Sequence, residues 1–132
     1  MDKAAYKPRN AKVMPAKRAR LSLERDFSEE EYRRITLGHA SLDMDDRWDI
    51  YFEDPWLNLN RSWTGFCIYR VRLEVVSNRY LIAEAWANRD HEEYTRTNDD
   101  YDAAFLSFLI DRILLGRDTR PPELSASGGR SS

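Results

Sequence analysis

Nine side chains between Arg61 and Arg89 are of types that together grip a flat, anionic ligand: Arg61, Ser62, Trp63, Thr64, Arg70, Glu84, Trp86, Asn88 and Arg89. Guanidinium groups such as those of Arg61, Arg70 and Arg89 clamp phosphate or carboxylate through a planar fork of donors. The indoles of Trp63 and Trp86 offer stacking surfaces, and Ser62, Thr64 and Asn88 can orient polar edges. Glu84 is the weak candidate for a catalytic base, a role that requires a cleft and a raised pKa. The same residues also have a purely architectural reading. Arg70 and Glu84 can pair across strands, Trp63 can anchor a turn, Trp86 can enter the core, and Asn88 and Arg89 can satisfy loop carbonyls. Mixtures of aromatic residues and Arg are equally typical of protein interfaces.

Other chemistry-bearing residues are less organised. Asp43, Asp45, Asp46, Asp49, Glu53 and Asp54 are hard oxygen donors of the kind that hold Mg²⁺ or Ca²⁺. Their spacing is not that of an EF-hand and the required glycine is missing, so they read as a solvated acidic edge or a dock for basic residues. No metal site is assigned. His39 and His91 are of the residue type that serves as a general base but stand in no motif, and both read as surface histidines. Cys67 is the single cysteine, which excludes an internal disulfide and favours a small core residue over a nucleophile. Glycine-rich phosphate loops, GxSxG and HExxH are absent, and nothing calls for a cofactor.

The elements that must position these residues follow from periodicity. Ser28 with Glu31 forms a capping box, Phe27 and Tyr32 a hydrophobic staple, and Gly38 a stop, which predicts a first helix. After the acidic linker the period changes to two. Trp48, Ile50 and Phe52 alternate with Asp49, Tyr51 and Glu53 as a half-buried strand. Residues 56–60 give a second strand with Leu57 and Leu59 on one side. Arg61–Gly65 makes a turn, or a turn with a bulge at Gly65. Residues 66–76 form the longest strand, with Cys67, Tyr69, Val71, Leu73 and Val75 opposed to Ile68, Arg70, Arg72 and Glu74. A turn at Ser77-Asn78-Arg79 leads to a fourth strand over 80–88, where Leu81, Ala83, Ala85 and Ala87 oppose Ile82, Glu84, Trp86 and Asn88. Thr97, Asn98 or Asp99 caps a last helix whose apolar face is Tyr101, Phe105, Phe108, Leu109, Ile113 and Leu114. The expected fold is therefore α+β: a four-stranded antiparallel meander flanked by an N-terminal and a C-terminal helix, in the order α-β-β-β-β-α.

Charge divides the 132-residue chain unevenly. Residues 1–20 carry seven Lys or Arg and one acid, whereas the whole chain has a net charge of −2. That segment reads as a disordered basic arm, either solubilising or folded back on the acidic body; a nucleic-acid contact, if there is one, is expected there. Residues 117–132, with Pro121-Pro122 and a Ser/Gly-rich end, read as a disordered tail. One domain is expected over 21–116. No apolar run reaches the roughly 20 residues of a membrane span, no secretory signal is visible, and a bacterial-type cytoplasm is the expected compartment.

The stretch from Met44 through Asp54, then Trp56-Leu57, Arg61-Ser62-Trp63-Thr64-Gly65 and Trp86-Ala87-Asn88-Arg89, resembles a family of small, mostly bacterial proteins and accessory domains of unknown function. The family shares an acidic pair before a Trp strand, the Arg-Ser-Trp-Thr-Gly turn and the late Trp-x-Asn-Arg segment. The resemblance covers about residues 27–116 and implies a loose connection with ADP-ribose metabolism. Three functions remain in view. The first is a non-catalytic module holding a protein partner or a small anionic ligand. The second is a small enzyme acting on a nucleotide-like substrate. The third is nucleic-acid contact through the basic arm.

Overall fold

The computed structural model describes residues 7–95 and 98–122. The first residues of the basic arm, Thr97 as a helix cap and most of the C-terminal tail fall outside them.

An antiparallel sheet with helices organises the chain. Two short strands, β1 (Arg18–Leu21) and β2 (Asp26–Phe27), precede helix α1 (Glu29–Leu37). Four longer ones follow: β3 (Trp48–Glu53), β4 (Trp56–Arg61), β5 (Cys67–Val76) and β6 (Arg79–Asn88). Helix α2 (Asp99–Leu109) closes the fold and runs on into a π-helical turn, Ile110–Leu114. The sheet order is β1-β6-β5-β4-β3, with β2 also on β6. This corrects the expected four-stranded sheet and its α-β-β-β-β-α order: the described residues form six strands, and two of them come before the first helix. The physical reason is local weakness. Arg-Ala-Arg-Leu alternates over four residues only and Asp-Phe has two, too short for the alternation to stand out, and they become strands by pairing with the free edge of β6.

Local chemistry sets the helix starts. Ser28 accepts from the Glu31 amide at 3.1 Å and Glu31 returns a bond to the Ser28 amide at 2.9 Å. Asn98 caps α2 by accepting from the Tyr101 amide at 2.8 Å. Gly38 takes a positive φ of 75°, and a side chain there would collide with the Ile50 carbonyl. Ser77 and Asn78 both adopt positive φ, which gives the two-residue β5–β6 hairpin loop its twist.

Both helices pack on one face of the sheet. Its core includes Ile50, Leu57, Leu59, Tyr69, Val71, Ala85 and Ala87, covered by Ile35 of α1 and by Leu106, Leu109 and Ile110. Burying each such aliphatic side chain contributes roughly 1.5–3 kcal/mol. Two register shifts change the expected sidedness. One near Asn60 sets Cys67 opposite Asn60, away from Tyr69 and Val71. The other skips Ala83, so Ile82 pairs with Leu73 and joins the core while Leu81 pairs with Glu74. The buried stripe of the last helix also differs from expectation, running through Asp102, Leu106, Leu109, Ile110 and Leu114. Phe105, Phe108 and Ile113 lie at its border.

The second face is partly crossed by residues 7–17. The Lys12 amide donates to the Gly65 carbonyl at 2.9 Å, and the Asn60 side chain donates to the Lys12 carbonyl at 3.1 Å. Pro8 and Met14 are buried there, and the Arg89 amide bonds the Lys17 carbonyl as the segment enters β1. Among the described residues no helix is long and apolar enough to cross a membrane.

Candidate functional site

The structure divides the nine expected site residues among three places. Arg61, Trp63 and Thr64 line a cleft of ≈ 710 Å³ at one end of the helix-covered face. Arg70, Glu84 and Trp86 lie on the opposite face. Asn88 and Arg89 belong to a buried network that builds one wall of the cleft, and Ser62 ties down a neighbouring loop. The expected single patch is therefore two separate surfaces, because strand alternation sends Arg61 and Arg70 to opposite sides.

The cleft forms where three segments meet. The β4–β5 turn supplies Arg61, Trp63, Thr64 and Phe66, the loop before β3 supplies Met44 and Arg47, and residues 91–95 with the first turns of α2 close the other side. The turn is pinned from two directions. Asn10 donates to the Ser62 carbonyl at 3.2 Å, and Gly65 has φ 79°, where a side chain would collide with the Asn10 carbonyl. From the other side, Ser62 Oγ donates to the Asp46 carbonyl at 2.9 Å, and the Trp63 indole N–H donates to the Met44 carbonyl at 3.2 Å. Trp63 remains 68% exposed and overhangs the opening. The Arg61 guanidinium stacks on Trp48, 4.9 Å from the ring centroid. Across the cleft, Tyr101 and Phe105 stack at 5.8 Å.

The acidic loop is a folding device. Asp43 Oδ1 accepts from the amides of Asp45 and Asp46, an Asx turn, and Asp49 accepts from the Ser41 amide. Asp46 accepts from the Leu42 amide at 3.0 Å and faces His39 Nε2 at 2.7 Å. Burial pushes the Asp46 carboxyl up, but its bonds from Leu42, His39 and Trp48 outweigh that and hold it below its ordinary value. Among the described residues no group of three or more His, Cys, Asp or Glu could hold a metal ion.

Behind the far wall lies a network that no sequence pattern signalled. Asp102 is 0% exposed, and its Oδ1 accepts from the Tyr69 hydroxyl at 2.6 Å and the Tyr94 hydroxyl at 2.7 Å. Arg89 donates to Asp102 Oδ2 at 2.7 Å and to Asp99 at 2.6 Å. Burial, then the charges of Tyr94 and Asp102, drive the Tyr69 hydroxyl far above its ordinary range, so it stays a donor. Burial lowers the Arg89 pKa, yet the bonds and charges of Asp99 and Asp102 raise it on balance. Asn88, 0% exposed, donates to the Cys67 carbonyl and to Glu93 and accepts from the Asp90 amide. Asn88 and Arg89 thus position the 90–94 turn and the start of α2.

On the second face, Glu84 accepts from the Trp86 indole at 3.0 Å and from Arg72 at 2.9 Å. Arg70 does not pair with Glu84; it stacks on Trp56, 4.1 Å from the ring centroid. Glu84 borders a small hollow of ≈ 280 Å³, but the Trp86 and Arg72 bonds lower its pKa, opposite to what a general base requires. Cys67 is buried, and burial pushes its thiol up to about 12, which suppresses the thiolate. No family model, curated protein or solved structure matches this chain.

Proposed function

We propose that the protein is a non-catalytic binding module whose cleft holds a small ligand with an anionic end and a flat ring. The observation that carries this reading is the convergence of Arg47, Arg61 and Trp63 with the Tyr101–Phe105 stack around one volume of ≈ 710 Å³. Small-molecule sites span about 300–1,000 Å³ and combine apolar walls with a few convergent polar groups. The two arginines take the anionic end, and the aromatic walls take the ring. Glu92 and Glu93 make the 91–95 side acidic, which suits a hydrogen-bond donor at the far end of the ligand. Nucleotide-like molecules, ADP-ribose included, present phosphate, ring and exocyclic amine in that order.

A thermal-shift screen with AMP, ADP-ribose and inorganic phosphate tests the reading. Ligand at about 100 times its dissociation constant stabilises the folded state by about 2.7 kcal/mol. The shift is expected with a nucleotide, lost in Arg47→Ala and Trp63→Ala, and kept in Arg70→Gln on the other face. Equal shifts in all variants, or none with the unaltered chain, overturn it.

A further inference from the structure

We propose that the second face of the sheet, independently of the cleft, binds single-stranded nucleic acid. The net charge of −2 conceals a separation of charge. Residues 7–17 of the basic segment lie across this face, where Lys7 sits over Tyr51 at 5.7 Å and pairs with Glu53 at 3.1 Å. Arg18 and Arg20, from the edge strand β1, place their guanidinium groups over Trp86 at 5.2 and 5.9 Å. Both helices, on the other face, begin with acidic turns.

The register lines these groups up. Arg20, Trp86, Arg70 and Asn58 stand side by side on β1, β6, β5 and β4, and Arg72 pairs with Trp56 and Glu84 in the adjacent row. Neighbouring strands are about 4.8 Å apart, so guanidinium and indole alternate across the face at short intervals. Of the four arginines, Arg72 is neutralised by Glu84. Arg70 makes no hydrogen bond or ion pair among the described residues, and its Nε is buried without a partner. A guanidinium held over an indole with its Nε unpartnered is a receptor for an anionic oxygen. Arg18 and Arg20 are exposed and carried on long side chains, so both can turn from the Trp86 ring to phosphates while a base takes the vacated ring face. Stacking surfaces between cationic groups are the recognition pattern of single strands, whose bases are free to splay, and a duplex hides the base faces it needs. An acidic peptide matches the charge but makes no use of the two indoles.

Fluorescence anisotropy of labelled dT12 and rU12 with the full chain, across a salt series, tests the proposal. Phosphate contacts from Arg18, Arg20 and Arg70, with Arg72 held by Glu84, give a log–log salt slope of about −2. The Arg18→Gln/Arg20→Gln double variant, altered only at exposed positions, is expected to bring the slope to about −0.7. Trp86→Phe keeps a ring and is expected to weaken binding less than Trp86→Ala, which loses about fivefold or more. Arg61→Ala in the cleft is expected to leave binding unchanged. Absence of binding, duplex binding as tight as single-strand binding, or competition by polyglutamate as effective as by unlabelled oligonucleotide overturns the proposal.

Discussion

Replacing Arg89 by Met removes the guanidinium facing a carboxylate that has no access to water. Asp102 is 0% exposed and the Arg89 side chain 14% exposed, so solvent screening is weak at this pair. Breaking such a buried pair by deleting one partner costs about 3–5 kcal/mol, since the remaining charge is stranded. The hydroxyls of Tyr69 and Tyr94 stay on Asp102 and keep the loss toward the lower end. Small domains have only about 5–15 kcal/mol in total, so the variant is expected to unfold at much lower urea. Removing the charge as well reverses much of this: Arg89→Met/Asp102→Asn is expected to be at least about 1 kcal/mol more stable than the sum of the single changes implies. Urea unfolding followed by far-ultraviolet circular dichroism measures all four corners of the cycle. A loss below about 1 kcal/mol for Arg89→Met, or strict additivity, refutes the assignment of Arg89 as the counter-charge of Asp102.

Other outcomes follow from the same geometry. Gly65→Ala forces a side chain into the Asn10 carbonyl at a positive φ, and its urea midpoint is expected to fall by more than about 1 kcal/mol equivalent. The carboxyl of Asp46 is held below its ordinary 3.8, so its contribution is complete above that value and disappears as pH falls through the lower folded pKa. Urea midpoints between pH 2.5 and 6 are expected to show a weaker acid-side slope in Asp46→Asn. Cys67 is buried with its thiol near 12, so a thiol reagent at pH 8 is expected to label it only at the rate of unfolding.

The residues that could be placed from sequence were those with strong local signals. Ser28 and Glu31 close their capping box, and Leu57 and Leu59 face the core together as their alternation requires. What could not be read depends on long-range pairing. Strand β1 exists because Ala19 lies opposite Ala87 on an open edge, and nothing in Arg-Ala-Arg-Leu announces that. The shift at Ala83 puts Ile82 in the core, which strict alternation denied. Asp102 raised no expectation from the sequence, yet it occupies the buried stripe, where Tyr69, Tyr94 and Arg89 make it tolerable. For the site, the Arg61–Thr64 turn was legible from its composition, whereas its separation from Arg70 and Trp86 depended on which side of the sheet each strand presents.

The most direct test of a ligand cleft is the set of tryptophan indole N–H signals in a proton–nitrogen correlation spectrum, titrated with ADP-ribose and assigned by single Trp→Phe variants. Binding between the β4–β5 turn and α2 shifts the Trp63 signal, whose proton bonds the Met44 carbonyl at the rim, and leaves Trp86 on the far face in place. A spectrum in which Trp63 stays fixed up to millimolar ligand, or in which Trp86 alone moves, contradicts a cleft that holds this class of molecule.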